Sequence, residues 1–178
     1  MPIIVTTERL TLRSWTPDDA PALLKIYSDP LVTEFIPHVH LRDLPAAEAK
    51  VREMQKLEAA NGCTLWAVER GGELIGVCGF RSMGGAGSAG DGRSADARSN
   101  EGELGFAFRR DTWGQGFARE AATACLQWAD ERGVRRIVAQ TRPGNAGSRH
   151  VLDRLGFAHV GQNGEWLVYE RLTAKTAL

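Results

Sequence analysis

The hexapeptide WGQGFA, residues 113–118, most constrains how this chain can fold. Small and apolar side chains recur at helical spacing from Ala118 to Ala129, and the run from Glu103 to Phe108 predicts a preceding strand. Gly114 and Gly116 therefore stand at a strand-to-helix corner. The free backbone N–H groups at such a corner converge on one point, so the pattern predicts phosphate binding. A tight chain reversal without a ligand is the alternative.

Two well-known phosphate motifs do not fit this corner. The dinucleotide fingerprint requires a third glycine where this chain has Arg119. The phosphate loop of nucleotide hydrolases requires a Gly-Lys-Ser/Thr run, and the sequence contains none. A nicotinamide-dependent enzyme and a kinase are therefore disfavoured.

The corner resembles the acyl-coenzyme A signature of the GNAT N-acetyltransferase superfamily, Q/R-x-x-G-x-G/A. Trp113 stands at its first position, Gly116 at the fourth and Ala118 at the sixth. The tryptophan departs from the general pattern, but an aromatic residue before the glycine is similar to the RimJ/RimL branch of ribosomal-protein N-acetyltransferases. Because such a loop acts mainly through backbone amides, this departure is compatible with coenzyme binding.

Two further segments extend the resemblance over nearly the whole chain. Asn145 to Phe157 is similar to the superfamily's second coenzyme-contacting block, an N-x-x-S start and a helix that closes on L-G-F. Independently, Asn145 is a suitable N-cap and Gly156 suits the left-handed end of a helix. Thr7 to Arg13 resembles the first strand of the RimJ/RimL branch, and Thr16 to Asp19 reads as a helix start.

The resemblance implies an α+β GNAT fold over residues 1–178 as one domain, with a mixed central sheet flanked by helices. That sheet is splayed between the strand before the glycine loop and the strand after the next helix. The implied cosubstrate is acetyl-CoA, with no metal. The implied coenzyme-binding residues are Phe106, Ala107, Phe108, Trp113, Gly114, Gln115, Gly116, Phe117, Ala118, Asn145 and Ser148.

Acetyl transfer to an amine needs a base and an acid, and the resemblance implies which residues supply them. An attacking amine must lose a proton, and relatives often place a carboxylate on the strand before the loop, so Glu103 is the candidate base, acting through water, and Glu101 the runner-up. Backbone N–H groups near Phe106 to Phe108 would stabilise the oxyanion. Many relatives protonate the departing thiolate with a tyrosine; Leu152 stands there in this chain, and the resemblance points to Ser148 instead. A solvated Glu103 and a merely capping Ser148 are the plain alternatives.

Apolar periodicity and turn residues predict the remaining elements. Helices are expected over Thr16–Asp29 and Leu44–Ala60, and strands over Thr7–Arg13, Leu65–Glu69, Leu74–Phe80, Glu103–Arg109, Arg136–Thr141, Phe157–Gly161 and Trp166–Leu172. Residues 82–100 are rich in glycine, serine and alanine without an apolar period, which predicts a mobile loop insertion.

Composition limits the class of protein. The 178 residues are 43% hydrophobic and carry 22 basic and 22 acidic side chains, enough for one core and without an electrostatic footprint for nucleic acid. The sequence has no apolar stretch long enough for a membrane span, so we expect a cytoplasmic enzyme.

The cysteines and two histidines offer no evident reactive or metal site. Cys63, Cys78 and Cys125 have apolar neighbours, which predicts reduced core thiols. His38 and His40 have no evident third metal ligand; two loop histidines are the simpler reading.

The leading hypothesis is acetyl transfer from acetyl-CoA to a primary amine, by direct attack in a ternary complex. The acceptor is a protein N-terminus or a small-molecule amine such as an antibiotic or a polyamine, and a second copy of the chain is a further candidate partner. A non-catalytic acyl-CoA-binding module is the alternative class, and a nicotinamide-binding protein is a third. The acceptor site is expected between the first two helices, the loop from Glu34 to His40 and the last strands, with Phe35, Trp66 and Trp166 as candidate lining residues.

Overall fold

The computed structural model describes residues 2–83 and 101–172, which form one eight-stranded sheet in the order β1-β2-β3-β4-β5-β6-β8-β7. β5 and β6 are parallel, joined by a helical crossover, and the other neighbours within the described ranges are antiparallel. The expected mixed α+β sheet is confirmed. The strands are β1 Ile3–Thr6, β2 Thr11–Arg13, β3 Leu65–Arg70, β4 Glu73–Met83, β5 Glu101–Phe108, β6 Arg136–Thr141, β7 Ala158–Asn163 and β8 Trp166–Leu172.

The helices flank this sheet on both faces. They are α1 Ala20–Tyr27, α2 Pro30–Thr33, α3 Leu44–Asn61, α4 Phe117–Glu131 and α5 Ala146–Arg154, with single 3-10 turns at Pro17–Asp19, Pro37–Val39 and Arg110–Thr112. The single helix expected over Thr16–Asp29 is wrong in its extent. Asp29 precedes a proline and is extended, with ψ of 117°, because a following proline disfavours the helical conformation. The chain therefore leaves α1 after Tyr27 and restarts as α2.

The strand expected over Thr7–Arg13 is also wrong in its extent. The chain forms two antiparallel strands, β1 and β2, and Thr7 to Leu10 makes the turn between them. Leu10 N donates to Thr7 Oγ1 at 3.0 Å, and Thr7 N donates to Leu10 O at 2.9 Å. A threonine side chain that bonds the nearby backbone competes with strand pairing in this way. The turn faces the N-terminus of α4, because Arg9 contacts Gln115 and Glu120 there.

Buried side chains pack on both faces of the sheet. One cluster lies under α4, where the rings of Trp66 and Trp128 meet edge to face at a centroid distance of 4.8 Å. The other cluster lies under α1 and α3. The three cysteines are buried and free, as expected. Burial raises the pKa of Cys63 to about 11 and that of Cys125 well above its ordinary value, which suits core thiols rather than nucleophiles.

The sheet opens between β5 and β6. These strands pair only over Glu101–Arg136, Gly102–Ile137 and Glu103–Val138. Beyond Glu103, β5 continues to Phe108 against β4, and β6 continues to Thr141 against β8. The sheet is therefore split at one end, at the position expected from the resemblance.

Two further sequence predictions concern the loop insertion over residues 82–100 and the absence of a membrane-spanning segment. Ser82 and Met83, the first residues of the expected loop insertion, are the end of β4, and residues 84–100 lie outside the described residues. Among the helices of the described ranges, none has the length and apolar character required to cross a bilayer.

Candidate active site

The glycine corner forms the N-terminus of α4. Gly114 and Gly116 have φ of 74° and 82°, in the left-handed region that favours glycine. Glu120 N donates to Gly116 O at 3.0 Å, which makes Gly116 the N-cap. The N–H groups of the first turn, from Phe117 onward, precede the first intrahelical bond and have no acceptor within the helix. This is the geometry that binds phosphate oxygens.

Trp113 has a structural reason to occupy the first position of the signature. Its indole Nε1 donates to Phe108 O at 2.8 Å, although half of the residue (50%) is exposed. The bond ties the loop back to the end of β5. From the sequence, Trp113 is a departure from the family pattern. In the structure, its indole fixes the loop to the end of β5.

A cleft of about 910 Å³ runs from this loop into the split in the sheet. It brings together every residue expected to bind coenzyme, although these come from three separate segments of the chain. They are Phe106, Ala107 and Phe108 of β5, Trp113 to Ala118 of the loop, and Asn145 and Ser148 at the start of α5.

One wall of the cleft is an unpaired strand edge. From Leu104 to Phe108, β5 pairs with β4 on one side and has no strand partner on the other. Such an edge presents N–H and C=O groups that can bind an extended, amide-containing ligand. The pantetheine arm of coenzyme A is a ligand of this kind, so the residues present fit it.

The opposite wall is the first turn of α5. Asn145 caps this helix, and its Oδ1 accepts from Ser148 N at 3.0 Å. Ser148 lines the cleft, and its Oγ makes no hydrogen bond to another group in the described ranges. Leu152, which stands where many relatives have a tyrosine, also lines the cleft but is almost completely buried (1% exposed).

Neither carboxylate of β5 lines the cleft. Glu103 is the last residue of β5 that pairs with β6, at the apex of the split, and is 7% exposed. It is not among the residues that line the cleft; its contact there is Arg81, whose Nη1 donates to Glu103 Oε1 at 3.2 Å. Glu101 lies further from the opening and pairs with Arg136 at 2.9 Å. Glu103 is therefore connected to the cleft by its hydrogen bond with Arg81, which does line the cleft.

Arg81 is a residue that sequence reasoning missed. It lines the cleft, and its side chain crosses Gly105, where an added Cβ would lie 3.0 Å from Arg81 Nε. The missing side chain at Gly105 therefore provides the space for this guanidinium. A buried carboxylate requires a counter-charge, and Arg81 supplies it to Glu103.

The far end of the cleft has an apolar lining with one exposed carboxylate. Phe35 and Trp166 line it as expected, and Glu34 lies beside them. Trp66, the third aromatic candidate, does not line the cleft, because it is fully buried (0% exposed) in the core under α4. His38 and His40 are exposed, and no group of three metal-ligating side chains occurs in the described ranges.

Family comparison agrees with this geometry. A family model described as acetyltransferase (GNAT) domain matches residues 9–158. The uncharacterized protein YkkB of Bacillus subtilis (strain 168) is 30% identical over 175 residues, which cover 94% of each chain. The uncharacterized N-acetyltransferase p20 of Bacillus licheniformis is 29% identical over 158 residues, 87% of this chain and 82% of p20.

The fold also matches solved acetyltransferases. A RimL ribosomal-protein alpha-N-acetyltransferase in complex with coenzyme A superposes with a TM-score of 0.79, covering 96% of this chain and 98% of that protein. The two sequences are 20% identical, so the match concerns the fold alone. It is a likeness in the arrangement of strands and helices around the split sheet.

Proposed function

The chain belongs to the GNAT acetyltransferase family and is an acyltransferase, and on this premise we propose that it transfers acetyl from acetyl-CoA to a primary amine by direct attack in a ternary complex. The observation that carries the proposal is the cleft in the split sheet. At one end it has a helix N-terminus suited to pyrophosphate, and at the other an apolar chamber with an exposed carboxylate.

The coenzyme is proposed to lie along the unpaired edge of β5. Its pyrophosphate meets the backbone N–H groups at the N-terminus of α4, its pantetheine amides pair with Phe106 to Phe108, and Asn145 holds the arm from the opposite wall. The coenzyme supplies the activated acetyl group. A backbone N–H group near Phe106 to Phe108 that the pantetheine leaves unpaired would then donate to the acetyl oxygen as negative charge develops on it.

Glu103 is the proposed general base. An N-terminal amine has a pKa of about 7.7 to 8 and a lysine amine one of about 10.4, so the acceptor arrives largely protonated and must release a proton. Glu103 lies at the apex of the split but is separated from the cleft lining, so it would take the proton through water beside Arg81. The neutral amine nitrogen then forms its bond to the acetyl carbon, the bond from that carbon to the coenzyme sulfur breaks, and the proton lost by the amine passes through water to Glu103.

Ser148 is the proposed general acid for the departing thiolate. A free thiol has a pKa near 8.5, so a weak acid held by a helix turn is sufficient to assist its departure. The location of Ser148 on the cleft wall and the unengaged Oγ support this role.

The acceptor is proposed to be a protein N-terminal α-amine. The RimL structure with a similar fold is named as an alpha-N-protein acetyltransferase. Glu34, an exposed carboxylate that lines the cleft together with Arg81, Arg119 and Arg154, can pair with a cationic amine. A small-molecule amine is the second candidate, favoured by the aromatic walls from Phe35 and Trp166. The buried free thiols suit a cytoplasmic setting, and a homodimer stays a prediction.

The test is acetyl-CoA-dependent thiol release with a panel of acceptors: peptides with free N-termini, aminoglycosides, polyamines and free amino acids. With peptides as acceptors, we expect release of the free coenzyme thiol. Mass spectrometry should show that each peptide has gained one acetyl group. Acetylation of another acceptor class alone would reassign the substrate. Protection of the fold by acetyl-CoA without thiol release from any acceptor would contradict the enzyme and favour the non-catalytic module.

Two variants of β5 test the base. Glu103→Gln should lower kcat by about 100-fold, the usual minimum contribution of general base catalysis, with little change in the affinity for acetyl-CoA. Glu101→Gln changes a carboxylate on the same strand that pairs with Arg136. A larger loss in Glu101→Gln than in Glu103→Gln would assign the base to Glu101.

A further inference from the structure

The turn between β1 and β2 contacts the glycine loop, residues 113–118, from outside the cleft. Arg9, in this turn, donates from Nη1 to Gln115 O at 3.1 Å. Its guanidinium also lies 4.5 Å from the centroid of the Phe117 ring. One side chain from the N-terminal hairpin therefore contacts the loop at two points, more than 100 positions away in sequence.

The hydrogen bond to Gln115 fixes one peptide unit of the loop. A trans peptide directs its C=O and its N–H to opposite sides, and the described chain has no cis peptide bond. With Gln115 O turned toward Arg9, Gly116 N–H turns away from it. Gly116 lies between the groove that contains Arg9 and the main cleft, since it lines both. Its N–H is thereby directed toward the cleft.

The charge of Arg9 is already matched within the protein. Arg9 Nε and Nη2 bind Glu120 Oε2 at 2.7 and 2.6 Å, while Thr7 Oγ1 and Arg9 N donate to Glu120 Oε1 at 2.6 and 3.0 Å. Burial would raise the pKa of Glu120, but the hydrogen bonds from Thr7 and Arg9 outweigh it and hold that pKa below its ordinary value. Arg9 is thus a poor counter-ion for a phosphate and acts through the backbone.

We infer that Arg9 is a positioning residue for the pyrophosphate of acetyl-CoA, which it serves by orienting the Gln115–Gly116 peptide of the loop. The inference rests on the proposed placement of the coenzyme. It also gives the Thr7–Arg13 segment a role beyond strand formation: the turn residues Thr7 and Arg9 brace the loop through Glu120 and Gln115.

Arg70 provides a matched control. Its guanidinium also lies over the Phe117 ring, 4.9 Å from the centroid, so it shares the charge and the aromatic contact of Arg9. No bond joins Arg70 to Gln115 in the described part of the chain. A comparison of Arg9→Gln with Arg70→Gln therefore separates the bonds from Arg9 to Gln115 and Glu120 from the charge and the aromatic contact that both arginines share.

The experiment measures binding of two ligands by calorimetry, together with the melting temperature without ligand. Coenzyme A contains the pyrophosphate, and S-acetylpantetheine lacks it. Arg9→Gln should raise the Kd of coenzyme A about tenfold, as expected for loss of one well-placed backbone donor, and leave that of S-acetylpantetheine within about twofold. Arg70→Gln should leave both within about twofold. If Arg9→Gln does not fold, Arg9→Lys keeps the charge but cannot span Gln115 and Glu120 together, and it should behave in the same way.

Three results would overturn the inference. One is an equal loss of affinity for both ligands, which indicates a general structural role, and another is unchanged coenzyme affinity in a folded variant. Equal effects of Arg9→Gln and Arg70→Gln would also overturn it. A wild-type protein that binds coenzyme A but acetylates no amine would contradict the proposed function and leave the role of Arg9 intact, so the two failures are distinguishable.

Discussion

Asn145 and Ser148 share the first turn of α5 but use their polar groups differently. The Asn145 Oδ1 is engaged in capping the helix at Ser148 N, which leaves its amide nitrogen for the ligand. The Ser148 backbone is engaged while its hydroxyl is available on the cleft wall. Capping and chemistry therefore do not compete at Ser148, although the sequence alone could not separate the two roles.

Because the backbone N–H and the hydroxyl of Ser148 have separate roles, the role of the hydroxyl can be tested without disturbing the helix. Ser148→Ala removes the hydroxyl and keeps the N–H that Asn145 caps, so the melting temperature should change little. If Ser148 protonates the leaving thiolate, kcat should fall about 100-fold while the Kd of acetyl-CoA stays within about threefold. Steady-state kinetics and calorimetry measure the two quantities. Unchanged kcat would leave Ser148 as a capped surface residue.

The residues that sequence reasoning found are those whose role lies in local pattern. Gly114, Gly116 and Asn145 act at helix ends, where residue type and spacing are sufficient to predict conformation. Arg81 and Arg9 were missed because their partners are distant in sequence: Arg81 reaches Glu103 across the sheet, and Arg9 reaches Gln115 across more than 100 positions. Long-range partners of this kind require the tertiary structure.

At the scale of elements, α4 and the loop before it act as one unit. The loop sets where the helix begins, and the first turn of the helix provides the donors of the proposed anion site. The left-handed conformation of Gly116 is therefore a requirement of the site as well as of the chain reversal. A change at this glycine should affect binding beyond its effect on stability.

Gly116→Ala and Gly133→Ala separate these two effects. Both glycines have positive φ, 82° and 73°, so alanine pays a similar strain of about 1 kcal/mol or more at either. Gly133 lies beyond the opposite end of α4, away from the cleft. We expect similar losses of melting temperature, but a Kd for acetyl-CoA raised about tenfold only in Gly116→Ala. Equal affinities in the two variants would contradict an anion site at the loop.

The elements that sequence reasoning placed well are the regular ones, including α3, β6 and β8. Its errors came from side chains and prolines that end an element early: Thr7 makes a turn inside the expected first strand, and Pro30 separates α1 from α2. Both errors lie in the N-terminal region, where the chain makes its contacts with the glycine loop and with the acceptor end of the cleft.

At the scale of the whole molecule, one buried ion group links three elements of the N-terminal half. Arg13 of β2 binds Asp19 through two bonds of 2.7 and 2.8 Å and Glu69 of β3 at 2.5 Å, and Asp19 caps the turn before α1. Burial would raise the pKa of Asp19, but hydrogen bonds from Arg13 and Thr16 outweigh it and lower that pKa below its ordinary value.

A lowered pKa makes this linkage sensitive to acid. Because the folded state holds Asp19 ionised at a pH where the unfolded chain binds a proton, its contribution is fully present above about pH 4 and is lost as pH falls through the lower folded value. Asp19→Asn should lower the free energy of unfolding by about 3 kcal/mol at pH 7 and flatten its dependence on pH below 4. Urea denaturation at several pH values measures both; an unchanged acid slope would contradict the assignment to Asp19.

The order of the strands was not available from local sequence patterns. Periodicity predicts where strands occur, but the pairing of β6 with β8, and the split beside β5, depend on contacts between distant segments. The expectation of a splayed sheet came from the resemblance of the glycine loop and the α5 block to a known family, and the structure confirms it.

In the proposed placement along the unpaired edge of β5, the coenzyme has a second significance, as a substitute for a missing strand. A ligand that binds only the folded chain stabilises it by about 2.7 kcal/mol at a concentration about 100 times its Kd. The free energy of unfolding of this protein would then rise with the supply of acetyl-CoA in the cell. When that supply fails, the same edge is left open to pairing with another chain, which is the usual origin of strand-mediated aggregation.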